Sequence, residues 1–415
     1  MTDKLFTKNF LLLILGQLAS LFGNFILKLA LSMYVLEITG SAAVFAGTLS
    51  MSAIPAILLS PVGGILADRV NRRNLMVALD GLTGISVLCA AVALSGSNAI
   101  AVIGALLVIL SVLGAFETPV VQACIPAMLQ GDDIMKGNGI VNQAASLSYL
   151  TAPMLGGVCY GLFGLKPVMY ASVGCFFLTA LFECFIQLPL QSAHAPSGKG
   201  FLSTASQDFL ESMRYLFREQ ADVFRLLLLT GCSRFFVMGI LVVGLPFVVR
   251  NLLGLSSAYY GAAESALAVA TILGSGAAGI LGERLNMQRL SLLLASMGLF
   301  LIPPGLGFLC PLTAVAAYCL IVVSLCSMQI AISMFSVAAV SLIQQRTPGH
   351  LIGKVMACTS AVTLCVQPVG QMAYGYLFDR FCGSVFLVFL ATGLALWAVG
   401  GTAKRMFAGN GRGEL

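Results

Sequence analysis

Charge is scarce in this 415-residue sequence: only 9% of residues are Asp, Glu, Lys or Arg, whereas soluble domains carry roughly 25%. That deficit excludes a chain whose main solvent is water. Histidine is nearly missing too, and His194 and His350 both fall in polar connections rather than at metal-ligand spacing. A metal site therefore has little support. Also lacking are a G-x-x-x-x-G-K-[ST] sequence, so ATP bound to this chain is excluded as the energy source, and any nucleophile, base and metal constellation that would suggest an enzyme. The literal GxGxxG at Gly274–Gly279 lies inside an apolar run with no preceding strand, so it implies no dinucleotide.

What is abundant is apolar sequence, at 59% hydrophobic residues. Crossing a bilayer takes about 20 apolar residues per helix. Cutting the runs at turn and charge signals predicts spans near 10–36, 42–66, 74–95, 99–120, 138–163, 167–189, 223–249, 257–281, 289–309, 312–340, 354–377 and 385–403. Backbone in hydrocarbon must satisfy its own hydrogen bonds, and the short alternating segments of a barrel are absent, so these are helices. The first run is too long for a signal-peptide core and is expected to remain as a span. Most of the twelve cysteines sit inside apolar runs and read as small packing residues rather than a disulfide framework.

Basic residues set the expected orientation. With the N-terminus inside, Lys4, Lys8, Arg69, Arg72, Arg73, Arg214, Arg218, Arg284, Arg346, Lys404 and Arg405 share the cytoplasmic side, whereas Lys166, Arg250 and Arg380 fall outside. Both termini are then cytoplasmic in a multi-pass cell-membrane protein. The net charge of +6 reflects topology, not a nucleic-acid patch.

The chain also repeats itself at a fixed offset of 215 residues. Leu11-Leu12-Leu13 fall on Leu226-Leu227-Leu228, Gly16 on Gly231, Ser41 on Ser256, Gly64-Ile65-Leu66 on Gly279-Ile280-Leu281, Arg69 on Arg284 and Pro153 on Pro368. Chance matches between apolar helices explain the leucines but not the register of the polar positions. The expected division is a six-helix bundle at 1–190, a linker at 191–222 and a second bundle at 223–415. Within the linker, Phe209, Met213, Leu216 and Phe217 at helical spacing predict a cytoplasmic amphipathic helix.

Between spans 2 and 3 the chain reads Gly63-Gly64-Ile65-Leu66-Ala67-Asp68-Arg69-Val70-Asn71-Arg72-Arg73. This resembles the loop signature of the major facilitator superfamily, with Asn71 in place of the usual second glycine and able to take left-handed turn geometry. The resemblance implies a cytoplasmic latch formed by Gly64, Asp68, Arg69, Arg72 and Arg73, with Glu117 as a candidate partner of the arginines. Span 5 carries Ser148 to Gly157, whose Ala152, Pro153, Gly156 and Gly157 resemble the antiporter motif of proton-coupled drug exporters, although both leading glycines are replaced. Gly114 to Pro119 and Ile125 to Leu129 look most like the branch holding macrolide-efflux proteins and the enterobactin exporter. The arginine that many drug-proton antiporters carry in span 4 is absent.

Ionisable residues inside spans are costly and are functional candidates by default. Gln17, Asn24 and Lys28, at i, i+7 and i+11, share one face of span 1. The resemblance, which places spans 1, 4, 7 and 10 around a central cavity, implies that this face lines it, with Arg234 and Glu264 as the other expected substrate or ion residues. A Lys28–Glu264 pair is conceivable at their similar depth, and so is a Lys28 that snorkels to the headgroups. Asp80 and Glu183 read as structural partners of loop arginines.

The resemblance implies an all-α membrane protein with the twelve-helix major facilitator fold of two six-helix repeats. The expected function is alternating-access transport: proton-coupled efflux of a small amphipathic molecule by a monomer, without a cofactor. An importer or a lipid or siderophore transporter on the same fold, and a non-transporting receptor, stay open.

Overall fold

The computed structural model describes residues 6–96, 98–129, 132–187, 221–281, 285–348 and 352–408, with only the backbone given at 60–69, 132, 135, 221, 352–354 and 357. The expected linker helix lies outside the described residues, which contain twelve long helical elements and no strand. In chain order these are α1 (Lys8–Thr39), α2 (Ala42–Arg69), α3 (Arg72–Ala93), α4 (Ala99–Met128), α5 (Asp132–Phe163) and α6 (Leu165–Cys184). They continue with α7 (Ala221–Leu252), α8 (Ser257–Ile280), α9 (Met287–Gly307), α10 (Ala314–Arg346), α11 (Ile352–Arg380) and α12 (Val385–Ala408). Ten described helices are long and apolar enough to cross a membrane. Their outward faces are greasy, with Ile280 87% and Leu162 72% exposed. Such surface is stable in lipid and not in water.

Helix ends follow local chemistry. Thr7 accepts from the Phe10 N–H to cap α1, and Gly40 at φ 62° ends it in the left-handed region that glycine tolerates. Asn71 does not take the left-handed geometry expected of it. At φ −59° it caps α3, its side chain accepting from the Asn74 N–H at 3.2 Å, because Asn at a helix start satisfies an otherwise orphaned donor.

The chain forms two compact units. The first holds α1, α3 to α6, α2 from Gly47 onward and the opening of α8, Ser256–Ser265. Here α1 packs on α5 and α6, and α3 on α4 and α6. Lipid supplies little hydrophobic drive between helices, so close approach of small residues decides the contacts. Along α1 the contacts with α6 run antiparallel. The Asn9 side chain exchanges two bonds with the Gln187 backbone at 2.7 and 3.2 Å, Gly16 meets Thr179, and Gly23 meets Cys175. Thr179 Oγ1 also donates to the Gly16 carbonyl at 3.0 Å.

The second unit holds Ser41–Ala46, α7, α8 from Ala266 and α9 to α12. Its tightest pair is α9 with α12, where a methyl group on Gly298 would collide with the Gly393 carbonyl. Two stretches of α7, Gly239–Gly244 and Val248–Leu252, are π-helical, which the apolar run alone did not foretell. Gly239 lies against the Tyr374 ring and Gly244 against Phe378, so the first of these wide turns sits where glycine admits aromatics of α11.

Candidate functional site

In the first unit the polar face of α1 is graded. Gln17 is buried, Asn24 half-buried and Lys28 exposed, so the stripe runs from packed interior to open surface. Gln17 Nε2 and Asn24 Oδ1 are buried atoms without a hydrogen-bond partner. The electrostatic partner of Lys28 is Glu117 of α4, not Glu264. Glu264 instead accepts from the Tyr260 hydroxyl one turn earlier in α8.

One turn from Gln17, Ser20 belongs to the same face and was not singled out by the sequence. Its hydroxyl lies 3.1 Å from Asp80 Oδ1 and 3.3 Å from Glu117 Oε1. Glu183 of α6 is the hydrogen-bond neighbour of Asp80. Ser20, Asp80 and Glu183, all buried, and the half-buried Glu117 therefore form one cluster contributed by α1, α3, α4 and α6. Among the described residues the partners of Asp80 are thus Ser20 and Glu183 rather than Arg72 or Arg73, because its place on α3 turns it toward α1 and α6. Its isolation in an apolar stretch was the available signal.

Of the loop signature, Gly64, Asp68 and Arg69 lie where only the backbone is described. Arg72 donates to the Ala123 carbonyl of α4 at 2.9 Å, and Arg73 donates to the Cys184 carbonyl at the end of α6. Both arginines thus tie helix ends of the first unit together. Carbonyls in the last turn of a helix, such as that of Cys184, lack intrahelical donors, and cations there are favoured.

The small residues of α5 serve two neighbours. A methyl on Gly156 would stand 3.2 Å from Ile26 Cα of α1, and one on Gly157 would stand 2.5 Å from the Ser257 carbonyl at the start of α8. Ser257 Oγ donates to the Gly157 carbonyl at 2.8 Å. Ala152 and Pro153 are buried beside them, and Gly261 meets the Pro153 carbonyl.

In the second unit Arg234 is half-buried on α7. Beside it, Phe235, Phe236, Tyr374, Phe381 and Thr392 help line an apolar cleft of about 340 Å³ between α7, α11 and α12. Tyr374 and Thr392 share a 2.6 Å hydroxyl bond at its wall. Gly274–Gly279 lies within α8, as expected of a false dinucleotide motif.

Twelve helices in two units, greasy outside and carrying ionisable side chains within, are the build of a polytopic membrane transporter. The chain belongs to the Major Facilitator Superfamily, whose profile matches residues 13–366. It is 23% identical over 88% of each chain to macrolide efflux protein A of Streptococcus pyogenes. Against the multidrug efflux pump Tap of Mycolicibacterium fortuitum it is 24% identical, covering 94% of this chain and 93% of that one. In fold it is similar to a crystal structure of the nucleoside transporter NupG, with TM-score 0.70 at 14% identity over 98% of this chain and 99% of the other. The protein is a transporter rather than an enzyme, and its relatives include efflux pumps.

Proposed function

We propose that this chain exports small amphipathic compounds of the antibiotic or drug type from the cell by alternating access, in exchange for protons. The observation that carries the reading is its similarity, nearly end to end, to efflux pumps for macrolides and multiple drugs. The polar face of α1, buried at Gln17 and open at Lys28, supports it, since lone ionisable groups inside spans mark substrate and ion paths. In this reading residues 1–190 and 223–415 are the two rocking bundles, 191–222 joins them, and both termini are cytoplasmic. Gln17, Asn24, Lys28, Arg234 and Glu264 contact substrate or ion, and the loop signature with Glu117 latches the cytoplasmic side. The working unit is a monomer in the cell membrane, with the proton as coupling ion and no bound cofactor.

The test compares cells with and without the gene across a panel of toxic amphipathic compounds. Protection by the gene, lost when a protonophore is added, is the expected result. Enhanced uptake of a labelled compound overturns export, and protection indifferent to the protonophore overturns proton exchange.

A further inference from the structure

The cluster beneath the α1 face has a hydrogen-bonding deficit that its own side chains do not repair. Asp80 is 0% and Glu183 1% exposed. Their carboxyl groups are hydrogen-bond neighbours, yet Asp80 Oδ2 and Glu183 Oε2 are both without a donor. Ionised carboxylates only accept, so two of them in contact repel and satisfy neither oxygen. Buried polar atoms are nearly always paired. One proton resolves both problems, because a carboxylic acid donates its O–H to the neighbouring carboxylate.

Among the described residues, the groups around the pair bond elsewhere. The Ser20 hydroxyl carries a single proton, and it is offered to Asp80 Oδ1 or Glu117 Oε1, not to either orphaned oxygen. From α1, the Lys28 cation has Glu117 as its electrostatic neighbour. From α4 come Glu117 and Cys124, and from α6 Cys184. The guanidinium groups of Arg72 and Arg73 on α3 donate to the Ala123 and Cys184 carbonyls, with Cys124 lying near both Arg72 and Glu183.

We propose that Asp80 and Glu183 form a proton-binding site inside the first bundle, holding one proton between them, with Glu117 joined to it through Ser20. The proton bound to one carboxyl oxygen is donated across to the other, and its departure leaves three neighbouring anions on α3, α4 and α6. Their repulsion ties proton occupancy to the packing of α3 against α6. The role of the site in transport rests on the proton-exchange reading above, whereas its existence does not.

Infrared spectroscopy of the purified full-length protein tests this, reading the carbonyl stretch of protonated carboxylic acids at neutral pH. Glu183→Gln and Asp80→Asn are each expected to remove the same component, and the double substitution to remove nothing more. A spectrum unchanged by both single substitutions overturns the proposal, and so does a double substitution that removes two components. The two isosteric variants keep the test available where one fails to fold. Ethidium transport by the same protein in liposomes, with and without an imposed pH gradient, separates the two readings. The component present with gradient-indifferent transport keeps the site and rejects proton exchange. Gradient-driven transport without the component rejects the site alone.

Discussion

Asp379, one residue before the end of α11, completes the N-terminus of α2 through Ser41. Its Oδ2 accepts from Ser41 Oγ at 2.5 Å and from the Ala43 N–H at 3.1 Å, while Oδ1 accepts from the Ala42 N–H at 2.7 Å. Ser41 Oγ also accepts from the Val44 N–H at 3.1 Å, so one hydroxyl caps its own helix and binds a distant carboxylate. Four N–H groups at a helix start lack intrahelical partners, and a carboxylate there satisfies them while facing the positive end of the helix dipole.

Replacing Asp379 by Ala removes three charge-assisted bonds and is expected to cost on the order of 2 kcal/mol. Asn, which keeps an acceptor, is expected to lose less. Thermal denaturation of both variants in detergent checks the order, and equal losses for Ala and Asn would show that the capping bonds contribute nothing.

Gly157→Ala places a methyl 2.5 Å from the Ser257 carbonyl. Backbone on both sides leaves no side chain to move aside, so a loss of about 1–3 kcal/mol is expected. Ser257→Ala removes only the 2.8 Å bond to the Gly157 carbonyl and is expected to cost about 1 kcal/mol. The same melting experiment ranks them, and a Gly157→Ala protein as stable as the parent contradicts the close approach.

Lys28 of α1 and Glu117 of α4 are electrostatic neighbours in the first unit. Lys28→Met is expected to lower ethidium efflux at least tenfold, since it leaves Glu117 without its cation. The double variant Lys28→Met, Glu117→Gln is expected to recover part of that loss. Efflux rates from preloaded cells measure both, and strictly additive losses would mean that the two groups act independently.

Native thiols report topology. Cys310 and Cys382 are exposed in the turns after α9 and α11, and Cys184 is exposed at the end of α6. With the N-terminus inside, an impermeant maleimide added to intact cells is expected to label Cys310 and Cys382, and Cys184 only after the membrane is opened. Mass spectrometry of the peptides reads this, and the reverse pattern inverts the orientation.

Most of the helical framework was legible because a bilayer imposes length and polarity on every crossing. The run expected at 74–95 is α3 at Arg72–Ala93, and that at 257–281 is α8 at Ser257–Ile280. Ends were less legible where capping decides them: α10 continues to Arg346, past the expected end at 340, because its polar last turn still forms helix. Site partners were harder to read. Depth along a helix follows from counting residues, and it placed Lys28 level with Glu264. Facing direction across helices does not follow from counting, so the meeting of Ser20, Asp80, Glu117 and Glu183, contributed by four different helices, needed the fold.

The π-helical segments of α7 alter how that helix is to be mapped. An ordinary α-helix advances about 100° per residue. Two wider turns in succession, at Gly239–Gly244 and Val248–Leu252, break that count. A wheel diagram drawn from Ala221 onward therefore assigns residues beyond Gly239 to the wrong sides, and any scan of substitutions along α7 must restart its angular bookkeeping there.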